Sequence, residues 1–198
     1  MEQKGAVHDV KLNAHDASEI MGGGICNAVA GLAQMSGQEI TVTSITFKKI
    51  PVKDIPDLFG GGEALIIAVY LEISGNTNGH MMVAYQPSVA FDLIDLLLGQ
   101  PSGSTTGLSE MEQSTLGEVG NIMGSYFLNH ISDATGCSFQ PSPPAVIMDM
   151  AGAILDAALA GIMAYSDYTY IIETTFGTND RQVSGTFLVV PDTEMEIE

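Results

Sequence analysis

The sequence predicts an α+β fold in which two helix-plus-hairpin units share one sheet covered by helices. Two long stretches of helical pattern, each closed by a glycine, and a strand–turn–strand signature after each of them carry that prediction. A shift of 99 residues lays one helix on the other, with Glu19 over Glu118 and Gly37 over Gly136. A lone hairpin is marginal in water, so the two units gain most by pairing into a common sheet.

The first helix is expected from about Asp16 to Met35, stopped by Ser36-Gly37. Glycine there suits the left-handed position just beyond a helix end. After a segment of mixed pattern, Leu65–Ile73, the turn residues 74–79 and His80–Tyr85 read as a hairpin. A short helix is expected at Pro87–Leu98, and the Gly-, Ser- and Thr-rich stretch Gly99–Gly107 reads as the connector. Ser109 and Glu112 stand at capping-box spacing and open the second long helix, Glu110 to Ala134, which Thr135-Gly136 stops. A further mixed segment, a short helix at Met150–Ala164 and a hairpin of Tyr168–Phe176 with Val183–Val190 complete the pattern. The acidic tail, Pro191–Glu198, is expected to fray. The chain thus reads as a single domain, 1–198, with repeat halves at about 10–98 and 108–191.

Composition narrows the function classes. With 198 residues, 45% of them hydrophobic, the chain can bury a substantial core. Its 24 acidic and 6 basic residues give a formal charge of −18, which repels phosphate backbones and anionic lipid. That argues strongly against nucleic-acid and membrane-surface binding and favours partners with exposed Lys or Arg, solubility alone being the other reading. The longest apolar stretch, Ala64–Leu71, is far short of a membrane span, and no apolar run follows Met1–Gly5, so a cytoplasmic protein is expected. Cys26 and Cys137 make neither a disulfide framework nor a zinc pattern and read as buried free thiols. His8, His15 and His80 have no partner spacing for a metal or a triad, and no metal site is expected. Gly60-Gly61-Gly62 lacks the Lys and Ser/Thr of a phosphate loop and reads as a flexible turn. The eleven methionines read as core filling.

On the second long helix, Ser114, Glu118, Asn121 and Ser125 fall within roughly a 60° arc at about 100° per residue. Leu116, Val119, Met123, Tyr126, Phe127 and His130 cluster on the other side, where a core histidine is the expected role for His130. Gly117, Gly120 and Gly124 lie beside the polar edge and would let another backbone approach. A carboxylate and a carboxamide one turn apart on a solvent face can reach together into a partner's active site; an ordinary solvated helix face is the competing reading.

Ser114, three residues, Glu118, two residues, Asn121, twenty-two residues, Pro144: this pattern resembles the signature of the CheC-type phosphatases of chemotaxis. Gly117–Ile122 and Asp149–Asp156 around it agree, as do Glu19-Ile20, Cys26-Asn27-Ala28, Ile50-Pro51 and Ile55–Gly61 in the first half. Within that family, which includes CheX and FliY proteins, length and duplication favour the CheC type. The resemblance implies long helices flanking a largely antiparallel sheet, and hydrolysis of the aspartyl-phosphate on the response regulator CheY. It assigns Glu118 to docking on the regulator's lysine and Asn121 to orienting the attacking water, with Ser114 and Pro144 in support. Two-site members carry Glu and Asn in both halves. Here Glu19 is kept, but Gly22 stands at the asparagine position, His15 at that of Ser114 and Ile45 at that of Pro144, so the first site is expected to be dead or structural.

The residue types suit the chemistry. An acyl phosphate is already activated, and catalysis of its hydrolysis is chiefly positioning and electrostatics. A neutral amide can accept a hydrogen bond from a water and donate one to a phosphoryl oxygen, whereas a carboxylate there would meet like charge. The resemblance further implies Mg²⁺ held by the partner CheY, while the duplication favours a monomer whose two halves share one sheet. The rival function is a non-enzymatic adaptor that binds phosphorylated CheY, the deamidase CheD or both; Asp149–Met163 reads either as a packed helix or as a docking face for CheD.

Overall fold

The computed structural model describes residues 14–159 and 167–191. His8, the end of the expected short helix beyond residue 159 and the tail beyond residue 191 lie outside the described residues. The two long helices are α1 (Ala14–Ser36) and α3 (Glu110–Thr135), and α2 spans Pro87–Leu97. Both long helices end as their glycines require: Gly37 and Gly136 adopt φ of 66° and 71°. Their N–H groups donate to Ala33 O at 3.0 Å and Ser132 O at 2.9 Å. At the start of α3 the Glu112 carboxylate accepts from the Ser109 N–H at 3.0 Å and from its hydroxyl.

The strands are β1 (Thr41–Pro51), β2 (Leu65–Gly75), β3 (Gly79–Tyr85), β4 (Phe139–Pro141), β5 (Ala145–Met150), β6 (Tyr168–Gly177) and β7 (Gln182–Pro191). They form one seven-stranded sheet in the order β1-β6-β7-β3-β2-β4, with β5 also on β2. Every pairing in it is antiparallel. β4 and β5 are two pieces of one edge, since β4 pairs with residues 73–75 of β2 and β5 with residues 65–70. Ser142 keeps the pairing to Glu72 between them, through N–H to O at 2.8 Å and Oγ to N–H at 2.9 Å. Pro143 and Pro144 interrupt the edge, where a missing donor is tolerated. The outer strand from each half of the chain lies on the hairpin of the other half, β1 on β6 and β5 on β2, and the hairpins meet at β3 and β7.

Alternation along the central strands gives the sheet two apolar faces. Ile67, Val69, Met81, Val83, Ile172 and Phe187 pack under α1, α2 and α3. Ile66, Ala68, Met82, Ala84, Ile171 and Leu188 pack under a 3₁₀ helix (Val52–Phe59) and α4 (Ala151–Leu159). Both long helices therefore share one face. The two segments of mixed pattern are β1 with the 3₁₀ helix, and β4 with β5. They hide from pattern reading because edge strands leave most side chains in water, as in Ser44, Thr46, Lys48 and Lys49 of β1. Asp149 and Met150 belong to β5, and α4 begins only at Ala151.

Two other expectations need correction. Cys26 is exposed and Cys137 half-buried. The Gly60–Gly62 segment is a hydrogen-bonded turn rather than a flexible one. Gly60 and Gly61 adopt φ of 101° and 109°. Gly61 N–H donates to Pro56 O at 3.0 Å, and Gly152 N–H to Gly62 O at 2.9 Å.

α1 crosses α3 closely at three glycines. A Cβ on Gly23 would stand 2.4 Å from His130 Nε2, one on Gly24 2.7 Å from Phe127 Cδ2, and one on Gly31 2.9 Å from Ile122 Cγ2. Asn27 Nδ2 adds a hydrogen bond of 3.1 Å to the Tyr126 carbonyl across the crossing. Gly22 has nothing within 4 Å of a built Cβ. Gly22→Ala is therefore expected to raise the melting temperature, through about 1 kcal/mol of helix propensity. In Gly24→Ala the clash with the buried Phe127 ring opposes that gain and lowers it. Thermal melts of the two variants check the opposite signs.

The connector is held by one buried carboxylate. Asp95 accepts from the N–H of Ser104 and of Thr105, both at 2.9 Å. Burial alone would raise its pKa, but hydrogen bonds from the Thr105 side chain and the N–H groups of Thr105, Ser104 and Gly103 more than offset that and hold it below the ordinary value. A depressed folded-state pKa stabilises above the unfolded value and is lost as pH falls through the folded one. Asp95→Asn is expected to cost about 1–3 kcal/mol at neutral pH. The gap from wild type should shrink as the pH falls below the ordinary carboxylate range and through the depressed folded-state value, read by melts across acid pH.

Candidate functional site

α3 rides on β2 and the β4–β5 edge with two glycines underneath. A Cβ on Gly120 would lie 2.3 Å from Val69 Cγ1 and 3.2 Å from Pro144 Cβ; one on Gly124 would lie 3.0 Å from Leu71 Cδ2. These glycines meet side chains of the chain's own sheet and edge, not a foreign backbone, and Gly117 faces open space. Leu116, Val119, Met123 and Phe127 are buried beside them.

This packing fixes the rotational phase of the helix. With Gly120 and Gly124 turned to the sheet, Ser114, Glu118 and Asn121 come out exposed along one edge, and Ser125 is half-buried at its end. Pro144 is half-buried against Gly120, the residue before Asn121. The structure thus brings Ser114, Glu118, Asn121 and Pro144 into one neighbourhood. Among the described residues, neither Glu118 nor Asn121 has a hydrogen-bond or ion-pair partner, so both are available to a visitor. His130, half-buried against Gly23 on the α1 side, lies away from this edge.

On α1 the corresponding edge holds exposed His15 and Glu19 and then Gly22, with no carboxamide. Ile45, where Pro144 would correspond, packs against the main core. The charge around the α3 edge is of one sign. α3, β2, β4 and β5 carry no Lys or Arg, while Glu63, Glu110, Glu118 and Asp149 are exposed on or beside them. Among the described residues no three His, Cys, Asp or Glu side chains converge on a possible metal position. No helix among them is long and apolar enough to cross a membrane. The part that sequence reasoning misassigned is the underside of the helix: glycines at 120 and 124, four apart, are the signal for close packing on a sheet.

Comparison with known proteins agrees with this fold. Residues 111–148, from the start of α3 to β5, match the model of the CheC-like family. The CheY-P phosphatase CheC of Bacillus subtilis is 24% identical over 173 residues, covering 85% of this chain and 83% of that protein. The fold matches Thermotoga maritima FliY with a TM-score of 0.67 at 18% identity, over 88% of this chain and 87% of that one. It also matches a chain of the CheX–CheY–BeF3–Mg²⁺ complex of Borrelia burgdorferi with a TM-score of 0.54 at 16% identity, over 86% and 97%. The motif segment thus matches the CheC-like family, and the chain is similar to a CheC protein along most of its length.

Proposed function

We propose that the protein hydrolyses the aspartyl-phosphate of a CheY-like chemotaxis response regulator, through one working site on α3. The single observation that carries this reading is the unengaged Glu118–Asn121 edge, phased outward by Gly120 and Gly124 in a chain related to a CheY-P phosphatase. Glu118 pairs with a lysine beside the regulator's phosphoryl group and sets the register of the complex. The Asn121 carbonyl accepts from the attacking water while its NH₂ donates toward a phosphoryl oxygen. The water oxygen bonds to phosphorus and the bond to the aspartyl oxygen breaks. The carboxylate leaves, and the water's proton passes to the released phosphate or solvent. Because the leaving group is good, positioning supplies most of the catalysis and no strong base is needed. Magnesium belongs to the regulator's own acidic pocket. Pro144 supports the helix from below, and Ser114 lines the approach.

The two halves, about 10–98 and 108–191, act as a single domain in this reading, with the first as scaffold. Glu19 has no carboxamide one turn on, so nothing there can hold a water. Glu118→Ala is expected to lower the rate of phosphate loss by at least about tenfold, as removal of a charge-assisted contact does, while Glu19→Ala leaves it unchanged. Equal rates for both variants would overturn the assignment.

A further inference from the structure

The rim beside the motif edge is apolar, and its placement is asymmetric. Among the described residues eight large hydrophobic side chains stand clearly exposed, and five of them, Leu65, Met111, Ile147, Met148 and Met150 among these eight, belong to α3, β2 and β5. Met148 and Met150 pair with Ile67 and Leu65, so their side chains share the face of Val69, the face that α3 covers. α3 and β2 run in the same direction, because Gly120 meets Val69 and Gly124 meets Leu71. One helical turn back, about 5.4 Å, matches two strand residues back, about 6.6 Å. Ile67 and Met148 therefore flank the turn at Leu116, and Leu65 and Met150 the turn before it. Met111 precedes Ser114 by three residues and extends the motif edge itself. Met111, Met148, Met150 and Leu65 are 57%, 42%, 45% and 51% exposed, which is unusual for residues whose default is the core.

The other end of the sheet carries different chemistry at the matching places. There β1 sets Lys49 and Pro51 opposite Tyr170 and Tyr168 of β6, and the Lys49 ammonium lies 5.6 Å from the centre of the Tyr168 ring. Among the described residues the exposed methionines of the sheet stand beside the helix edge that holds both Glu and Asn.

We propose that Leu65, Met111, Met148 and Met150 form a docking rim that seats the phosphorylated regulator while Glu118 and Asn121 enter its pocket. This rests on the phosphatase reading. The rim is continuous with the edge that must enter the regulator, and acids without bases surround it. Its chemistry fits a partner face of apolar side chains bordered by lysine, the lysine being the group that pairs with Glu118. Thioether side chains are flexible and polarizable, so they conform to such a face at low cost.

The test is Met148→Ser with Met150→Ser in one chain, measured against the cognate regulator activated with beryllofluoride for binding and phosphorylated for turnover. Expected are Kd and KM about tenfold higher with kcat within twofold and melting unchanged, since tenfold is the scale of losing one well-packed anchor. Met35→Ser, exposed on the last turn of α1, should change nothing. Wild-type Kd and KM in the double variant would overturn the proposal. So would a change confined to self-association by light scattering, which would give the rim to a second copy. Asn121→Ala separates the two claims. If it leaves phosphate loss unchanged while the double variant still weakens binding, the phosphatase reading fails and the rim stands.

Discussion

Asn121→Ala is expected to lower kcat for phosphate loss from the regulator by about 100-fold or more, the scale of removing one preorganised hydrogen-bonding group from a reacting centre. Binding of the activated regulator should stay close to wild type, because Glu118 remains to set the register. The fold should not suffer, since the Asn121 side chain is exposed and has no partner among the described residues. Asn121→Asp is the sharper companion. It keeps the shape and the acceptor but loses the donor and adds a charge beside the phosphoryl oxygens, so it should be as slow as alanine or slower. Single-turnover rates at saturating enzyme, with binding measured separately, would show it. Aspartate as fast as asparagine would mean that the group acts as a base, not as a positioner.

Gly120→Val should be the most damaging single change outside the exposed edge. The Cβ would have to occupy space 2.3 Å from Val69 Cγ1, and Val69 is itself buried and stiff at χ1. Overpacking of this kind costs about 1–3 kcal/mol, and each kcal/mol is worth about 2–4 °C in a chain of this size. Relief would come only by lifting α3 off the sheet, which also moves Asn121 relative to Pro144. The variant should thus melt lower and turn over more slowly even where it remains folded. Gly117→Ala, one turn earlier and facing open space, is the control and should be neutral or stabilising. A Gly120→Val protein that melts like wild type would show that the helix does not depend on this close approach for its position.

The parts of the fold that could be read from sequence are those whose signal is local. Helix ends with a glycine at the left-handed position, the Ser109–Glu112 box and the two hairpins with their turn residues needed no knowledge of partners. β1 and β5 were illegible because each is an edge strand that pairs with a hairpin from the other half of the chain. Their residues answer to neighbours more than a hundred or about eighty positions away, such as Phe47 with Ile172 and Val146 with Val69. The same holds for the site. The order Ser114, Glu118, Asn121 on one edge follows from helical periodicity, but which way that edge faces follows from what lies under Gly120 and Gly124. The Asp95 clamp on the connector was likewise hidden, because a carboxylate in an apolar helix gives no sign of which N–H groups it will receive. The methionines of β5 read as core by type and are exposed in fact, and only the register with β2 reveals it.

The central claim is that this chain turns over a phosphorylated regulator rather than only holding it. The most direct measurement is the loss of radiolabelled phosphate from the cognate phospho-regulator as wild-type protein is added in catalytic amounts. The account predicts that the phosphate's lifetime shortens, that the rate saturates with regulator, and that one protein molecule clears many. Binding of the phosphorylated regulator with an unchanged lifetime would contradict it and make the protein an adaptor.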